Sequence, residues 1–441
     1  MASEGYQQHP LTPSQPEPQV SQSPGGFISP SGSAPAGSPQ VQIPGAAPIF
    51  PAAGGPSFPN ANAQSGYQPA YYPQPPTAIT YLGAAVPNPE APPATHGVQK
   101  VAGYDPQQDY EIIKRAKKSG VFGTSWNEDT LIKVLGERSI FELDALSDHF
   151  GSKLAQTLAD FLPSKGKVSS WFNEVVHALA LGPVGYDVEL ARRATQGFGT
   201  KETLLKELLL NRSNSEIETL KRAYNKRYGL SLEKEVREDL SGTVQTLYVM
   251  ALRGQRPQEL PGQVNFAQVE QDVDGLFSNG LGKNAKFDEE YFCEVFINRS
   301  DPHITAVIDR YGAKYKGLSK SIKNISSLYV PLLISILVVV LNKEVKAGLV
   351  YIIHSVKSKR NMHETQGAWQ AAKYLHAAMT GKGTRDEQLV YRLIRASWNP
   401  EMMRAVKLAY RQRQGEDLDA RVIDETSGSY QKLLVKLIRR A

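Results

Sequence analysis

Residues 195–242 read "TQGFGTKETLLKELLLNRSNSEIETLKRAYNKRYGLSLEKEVREDLSG". Two glycines one residue apart open the stretch, and an acid, Asp239, closes it just ahead of Ser-Gly. Between them Leu204, Leu205, Leu208 and Leu209 form one apolar stripe, and Ile217, Leu220 and Tyr224 begin the next. That spacing predicts consecutive amphipathic helices. They are broken at "SNSE", where Ser213 as N-cap and Glu216 three residues on make a capping box. The same order returns far downstream. "MTGKGTRDE" at 379–387 carries the glycine pair, and "DETSGSYQKLL" at 424–434 carries acid, Ser and Gly.

Outward from this stretch, composition divides the 441 residues unevenly. The first hundred hold 21 of the 29 prolines, no Arg or Asp and no Lys before Lys100, with Glu4, Glu17 and Glu90 as the only acids. So few large aliphatic groups cannot offset the entropy of ordering a backbone, which predicts a disordered tail over 1–103. The remainder carries all 50 basic residues against 41 acids, an excess that suits an anionic partner. One cysteine, Cys293, excludes an internal disulfide framework and fits a reducing compartment. No basic-then-apolar leader is present, and the apolar run "VPLLISILVVVL" at 330–341 is shorter than the roughly twenty residues of a span, so it reads as a buried helix. A cytoplasmic protein is expected.

Helical spacing with Pro and Gly between segments continues to the C-terminus, with no convincing strand runs. "SIFE" repeats the capping box at Ser139–Glu142, and "NPE" replaces it with Asn399 as cap and Pro400 at the first helical position. Aligned on these features, the chain falls into units at 104–183, 184–257, 266–342 and 365–441. The expected fold class is all-α, built from repeats. Arg138, Arg212 and Arg299 each precede a capping Ser; binding an anion is one reading, and the expected one is that each meets carbonyls at a helix end.

The combined motif, G-x-G-T, then R-S, then acid-x-S-G, resembles the annexin repeat, and the fourfold array resembles an annexin core over about three quarters of the chain. The resemblance implies about five helices per repeat, a curved disc, and calcium-dependent binding to acidic phospholipids such as phosphatidylserine. The physical chemistry agrees. Calcium takes six to eight oxygens, preferably with a bidentate carboxylate, and a G-x-G turn lets backbone carbonyls point outward together. In the second unit the carbonyls of Thr195, Gly197 and Gly199 converge in this reading, with Asp239 in the position of the family's capping acid. The equivalents in the fourth are Met379, Gly381, Gly383 and Glu425, with a slightly longer spacing to the acid. An ordinary interhelical turn with a solvated acid is the bland alternative for each loop.

Units one and three lack the pattern. "SGVFGT" has an extra residue between its glycines and Lys167 at the acid position, while "GLGKNAKFDEE" replaces the loop and Asn324 replaces the acid. Phe198 and Lys382 stand at the two loop tips, suited to the headgroup boundary and to phosphate respectively. Glu202 and Asp386 resemble the acids of weaker secondary sites, although a carboxylate at a helix start is also simply favoured by the helix dipole.

Other chemistry is excluded. "EQDVDG" at 270–275 has the acids of an EF-hand but Leu281 at its twelfth position, and its Val269, Val273, Leu276 and Phe277 make a helix face. "NGLGKNAK" lacks the first glycine and the Lys-Ser/Thr of a phosphate loop. The histidines are scattered, Cys293 sits in apolar "YFCEVF", and nothing pairs a nucleophile with a base, so no enzyme is expected. No nucleic-acid motif is present. The tail's "SGYQPAYYPQPP" at 65–76 resembles long-tailed annexin segments that bind EF-hand partners and self-associate; a plain spacer, or a calcium-independent scaffold acting through the tail, are the alternatives.

Overall fold

Helices begin where the sequence supplies an oxygen cap. In the computed structural model Ser139 with Glu142 and Ser213 with Glu216 both close reciprocal capping boxes, opening Ile140–Leu154 and Asn214–Tyr228. Asn399 accepts from two backbone N–H groups ahead of Pro400–Gln414. The structure describes residues 77–93, 99–120, 123–163, 170–196, 201–281, 288–315, 317–318, 321, 343–356 and 365–441, all within one body, Tyr71–Ala441. The expected tail up to residue 76, the apolar run at 330–341, Lys167 and Asn324 lie outside the described residues.

Regular structure among the described residues is helical except for two short antiparallel ribbons. The long helical run Trp171–Thr195 leaves helical dihedrals at Gly182, directly before Pro183, which is where the first two expected units meet. Leucines 204, 205, 208 and 209 are buried as their stripe predicts, as are Ile217, Leu220 and Tyr224. Cys293 is wholly buried, and that burial pushes its thiol up to about 12, so it serves packing.

Two expectations need correction. The three arginines ahead of capping serines meet carboxylates, not carbonyls. Arg138 donates to Asp109 at 2.6 and 3.2 Å and Arg299 to Asp272 at 2.8 and 3.2 Å, while Arg212 stands 3.6 Å from Asp187. These aspartates are at most 2 % exposed, and a carboxylate so deeply buried needs a cation beside it. Burial alone would raise the Asp272 carboxyl, but hydrogen bonds from His303, Arg299 and Gln268 hold it down at about 2.

Nor is the segment from 77 to 103 tail throughout. Strands Ala78–Tyr81 and Ala84–Pro87 pair as a hairpin around Leu82 and Gly83, both at positive φ as a two-residue type I′ turn requires. Tyr81 is fully buried; its hydroxyl donates to Asp187 at 3.0 Å and the Arg212 guanidinium lies 4.5 Å from its ring centre. The Leu82 amide donates to Glu216, the capping-box acid, and Asn399 donates to the Gly83 carbonyl. Anchored sockets for a few side chains outweigh what the proline-rich composition suggested. The second ribbon, Lys117–Gly120 with Gly123–Trp126, occupies the "SGVFGT" region of the first unit, where the extra residue between glycines makes a strand pair in place of an open turn.

Candidate metal centre

The fourth-unit loop is fully described. Helix Ala368–Ala378 ends before Met379, and Gly381 and Gly383 follow with φ of 108° and 80°, a region that side chains with a Cβ rarely enter. The loop is closed by the Arg385 amide donating to the Ala378 carbonyl at 2.8 Å. Lys382 at its tip is exposed. The next helix, Asp386–Ser397, starts immediately afterwards.

The remote acid reaches this loop. Glu425 ends helix Leu418–Glu425, and one of its carboxylate oxygens accepts from the Thr384 hydroxyl at 2.7 Å. Its other oxygen lies 2.6 Å from Nη2 of Arg421, and the same nitrogen donates to the Met379 carbonyl at 2.7 Å. Two of the four expected ligands therefore converge on one guanidinium nitrogen. The residues present fit a hard cation held by carbonyl and carboxylate oxygens. No three His, Cys, Asp or Glu side chains form a metal cage among the described residues, so carbonyl oxygens must supply much of such a shell.

The second unit repeats the frame around an undescribed centre. Gly197, Phe198 and Gly199 lie outside the described residues. Their flanks do not: Thr195 ends its helix, and the Lys201 amide donates to the Ala194 carbonyl at 3.1 Å, the counterpart of the closure at Arg385. Asp239 ends helix Leu232–Asp239 and is exposed.

A glutamine fixes both acid-bearing turns. Gln245 donates to the carbonyls of Arg237 and Leu240 at 2.6 and 2.7 Å, and Gln431 donates to those of Ile423 and Thr426 at 2.8 and 2.6 Å. Gly242 and Gly428 follow the acids at φ of 58° and 64°, turning the chain into the next helix. Both glutamines stand three residues after the Ser-Gly glycine, so their recurrence was visible in sequence while their role was not. Thr384 and Arg421 were also missed; Arg421 has no counterpart of like charge, since Glu235 holds the matching position four residues before Asp239.

The described flanks of the two loops meet. Lys201, just past the second-unit loop, donates to Glu387, in the first turn after the fourth-unit loop, at 2.9 Å. Glu202 and Asp386 both open helices, as the dipole reading expects. Burial raises the Asp386 carboxyl above its ordinary value. In the third unit Gly280 has φ of 147°, and the loop beyond it, 282–287, lies outside the described residues. No helix among the described residues is long and apolar enough to cross a membrane.

Comparison with known proteins agrees with this frame. The Annexin family model matches residues 186–251 and 370–437, which contain both acid-bearing turns. Annexin C1 of Cryptococcus neoformans is 35% identical over 82% of this chain and 70% of its own length. Annexin A11 of Mus musculus is 28% identical over 81% of this chain, which spans 65% of that relative. Among solved structures, annexin III superposes with a TM-score of 0.65 at 24% identity, covering 77% of this chain and 96% of its own. A structure described as calcium-bound annexin (Sm)1 gives 0.58 at 21%, covering 77% and 92%. With a relative this similar over most of both lengths, and the same helical fold, the chain belongs to the annexin family.

Proposed function

We propose that this annexin binds acidic phospholipid membranes, peripherally and reversibly, when calcium rises, through the loops of units two and four. The observation that carries the reading is the convergence of the Met379 carbonyl and the Glu425 carboxylate on a single cation position beside two positive-φ glycines. Matched closing bonds and glutamine-locked turns extend it to Thr195, Gly197, Gly199 and Asp239. The calcium-bound relative supports the identity of the ion. Units 104–183, 184–257, 266–342 and 365–441 serve as the repeats, with the first and third lacking this kind of site. No catalytic role is assigned.

Calcium in such a loop would supply a positive centre with coordination positions left for lipid phosphate. The protein's part is to hold Gly381 and Gly383 in the outward turn, to keep Glu425 against the loop through Thr384, and to offer Lys382 toward the headgroups. With few side-chain ligands, affinity without lipid is expected near the loose end of about 10⁻⁴–10⁻³ M. Each basic residue facing an anionic leaflet adds about 1 kcal/mol. Lipid and ion then tighten one another by reciprocal linkage.

Sedimentation with phosphatidylserine vesicles, in calcium or in chelator, tests the reading. The parent chain should pellet only with calcium, and Asp239→Asn combined with Glu425→Gln should remain in the supernatant with helicity unchanged. Pelleting that ignores chelator, or survives the double substitution, overturns it.

A further inference from the structure

Arg421 sits one helical turn before Glu425, and its Nη2 donates to the Met379 carbonyl while lying 2.6 Å from the Glu425 carboxylate as an ion pair. Those are the oxygens that the proposed function assigns to calcium. A guanidinium stays charged at any accessible pH, so its own protonation cannot vacate the position. Two cations cannot both occupy it, because like charges at contact distance repel strongly. The side chain must swing out before an ion enters.

The closed position is also imperfect for the arginine itself. Its Nε is buried without a hydrogen-bond partner, although the side chain as a whole is 26% exposed. An orphaned buried donor is costly, and water would satisfy it once the guanidinium moved outward. The plug is thus held by one hydrogen bond and one ion pair and opposed by one missing bond, which suits a group meant to leave.

The second unit is built with the opposite sign. Glu235 holds the position four before Asp239, and it accepts from Arg192 and Tyr224, whose hydroxyl is 2.7 Å away. There the helix places a carboxylate, not a competing cation, one turn before the acid.

We propose that Arg421 is an internal competitor for the fourth-unit cation site, which raises the calcium needed to fill that site. This rests on the proposed fourth-unit site.

The test isolates the fourth site in the full chain carrying Asp239→Asn, and titrates calcium by calorimetry without lipid. Arg421→Gln and Arg421→Met should each tighten binding about tenfold, equivalent to about 1.4 kcal/mol, and Glu425→Gln should abolish it. Unchanged or weaker binding in the arginine variants, while Glu425→Gln still abolishes it, overturns the competitor and leaves the site intact. If Glu425→Gln changes nothing, the site itself is wrong, and both readings fall. A second readout needs no substitution. Phenylglyoxal modification of Arg421 in the unaltered chain, followed by peptide mass, should rise as calcium expels the guanidinium. Constant reactivity at saturating calcium overturns the proposal even if a variant misfolds.

Discussion

A single residue shows how burial and charge combine here. Asp272 is 1 % exposed and receives hydrogen bonds from Arg299, His303 and Gln268. Those donors hold its carboxyl at about 2 against an ordinary 3.8. A depressed folded-state value means the stabilisation is complete above 3.8 and drains away as pH falls through 2. Its size is about 2 kcal/mol at neutral pH. Thermal melts from pH 6 to pH 2.5 should therefore show Asp272→Asn destabilised at the upper end, with the gap to the parent closing toward the lower; a gap independent of pH would deny the ionised role. The sequence showed Asp272 only as a false EF-hand acid, because His303 comes from another helix and Arg299 from the turn just before it. Gly381 and Gly383 were legible for the opposite reason: glycine states a backbone requirement at its own position. Arg421 was not, since a long flexible side chain ends where the packing sends it.

Among elements, caps and stripes were readable because both are local. Ser213 and Glu216 lie within one turn, and the capping box formed as written. The hairpin at 78–87 was not readable. Its strands are four residues each, too short for a period, and they sit in a proline-rich context. What fixes it is remote: Asp187, Arg212 and Glu216 from one part of the chain and Asn399 from another. Full burial of the Tyr81 ring makes the hairpin a structural plug. A chain beginning at residue 77 should accordingly melt above one beginning at residue 94. In the longer chain Tyr81→Ala should cost about 3–5 kcal/mol, as for other large buried aromatics, and remove most of the difference. Equal melting temperatures for the two chains would mean that the docked hairpin contributes nothing.

For the whole molecule, matched spacing revealed two loops but not that their flanks meet. Their proximity depends on how units two and four pack, and the residues that report it, Lys201 and Glu387, lie 186 positions apart. That exposed pair contributes at most about 1 kcal/mol. Its value is as a ruler: the flanks of both proposed sites are within a side chain's reach of each other. Two such sites can engage one bilayer at once, and the second contact is then made at high effective concentration. Independent sites would predict that losing one halves the binding. Shared engagement predicts that either Asp239→Asn or Glu425→Gln alone weakens vesicle binding about 100-fold at fixed calcium, while calcium binding without lipid falls only by the one site removed. Flotation with phosphatidylserine vesicles beside lipid-free calorimetry measures both quantities. A loss within twofold on vesicles would show that the loops do not meet the same surface together.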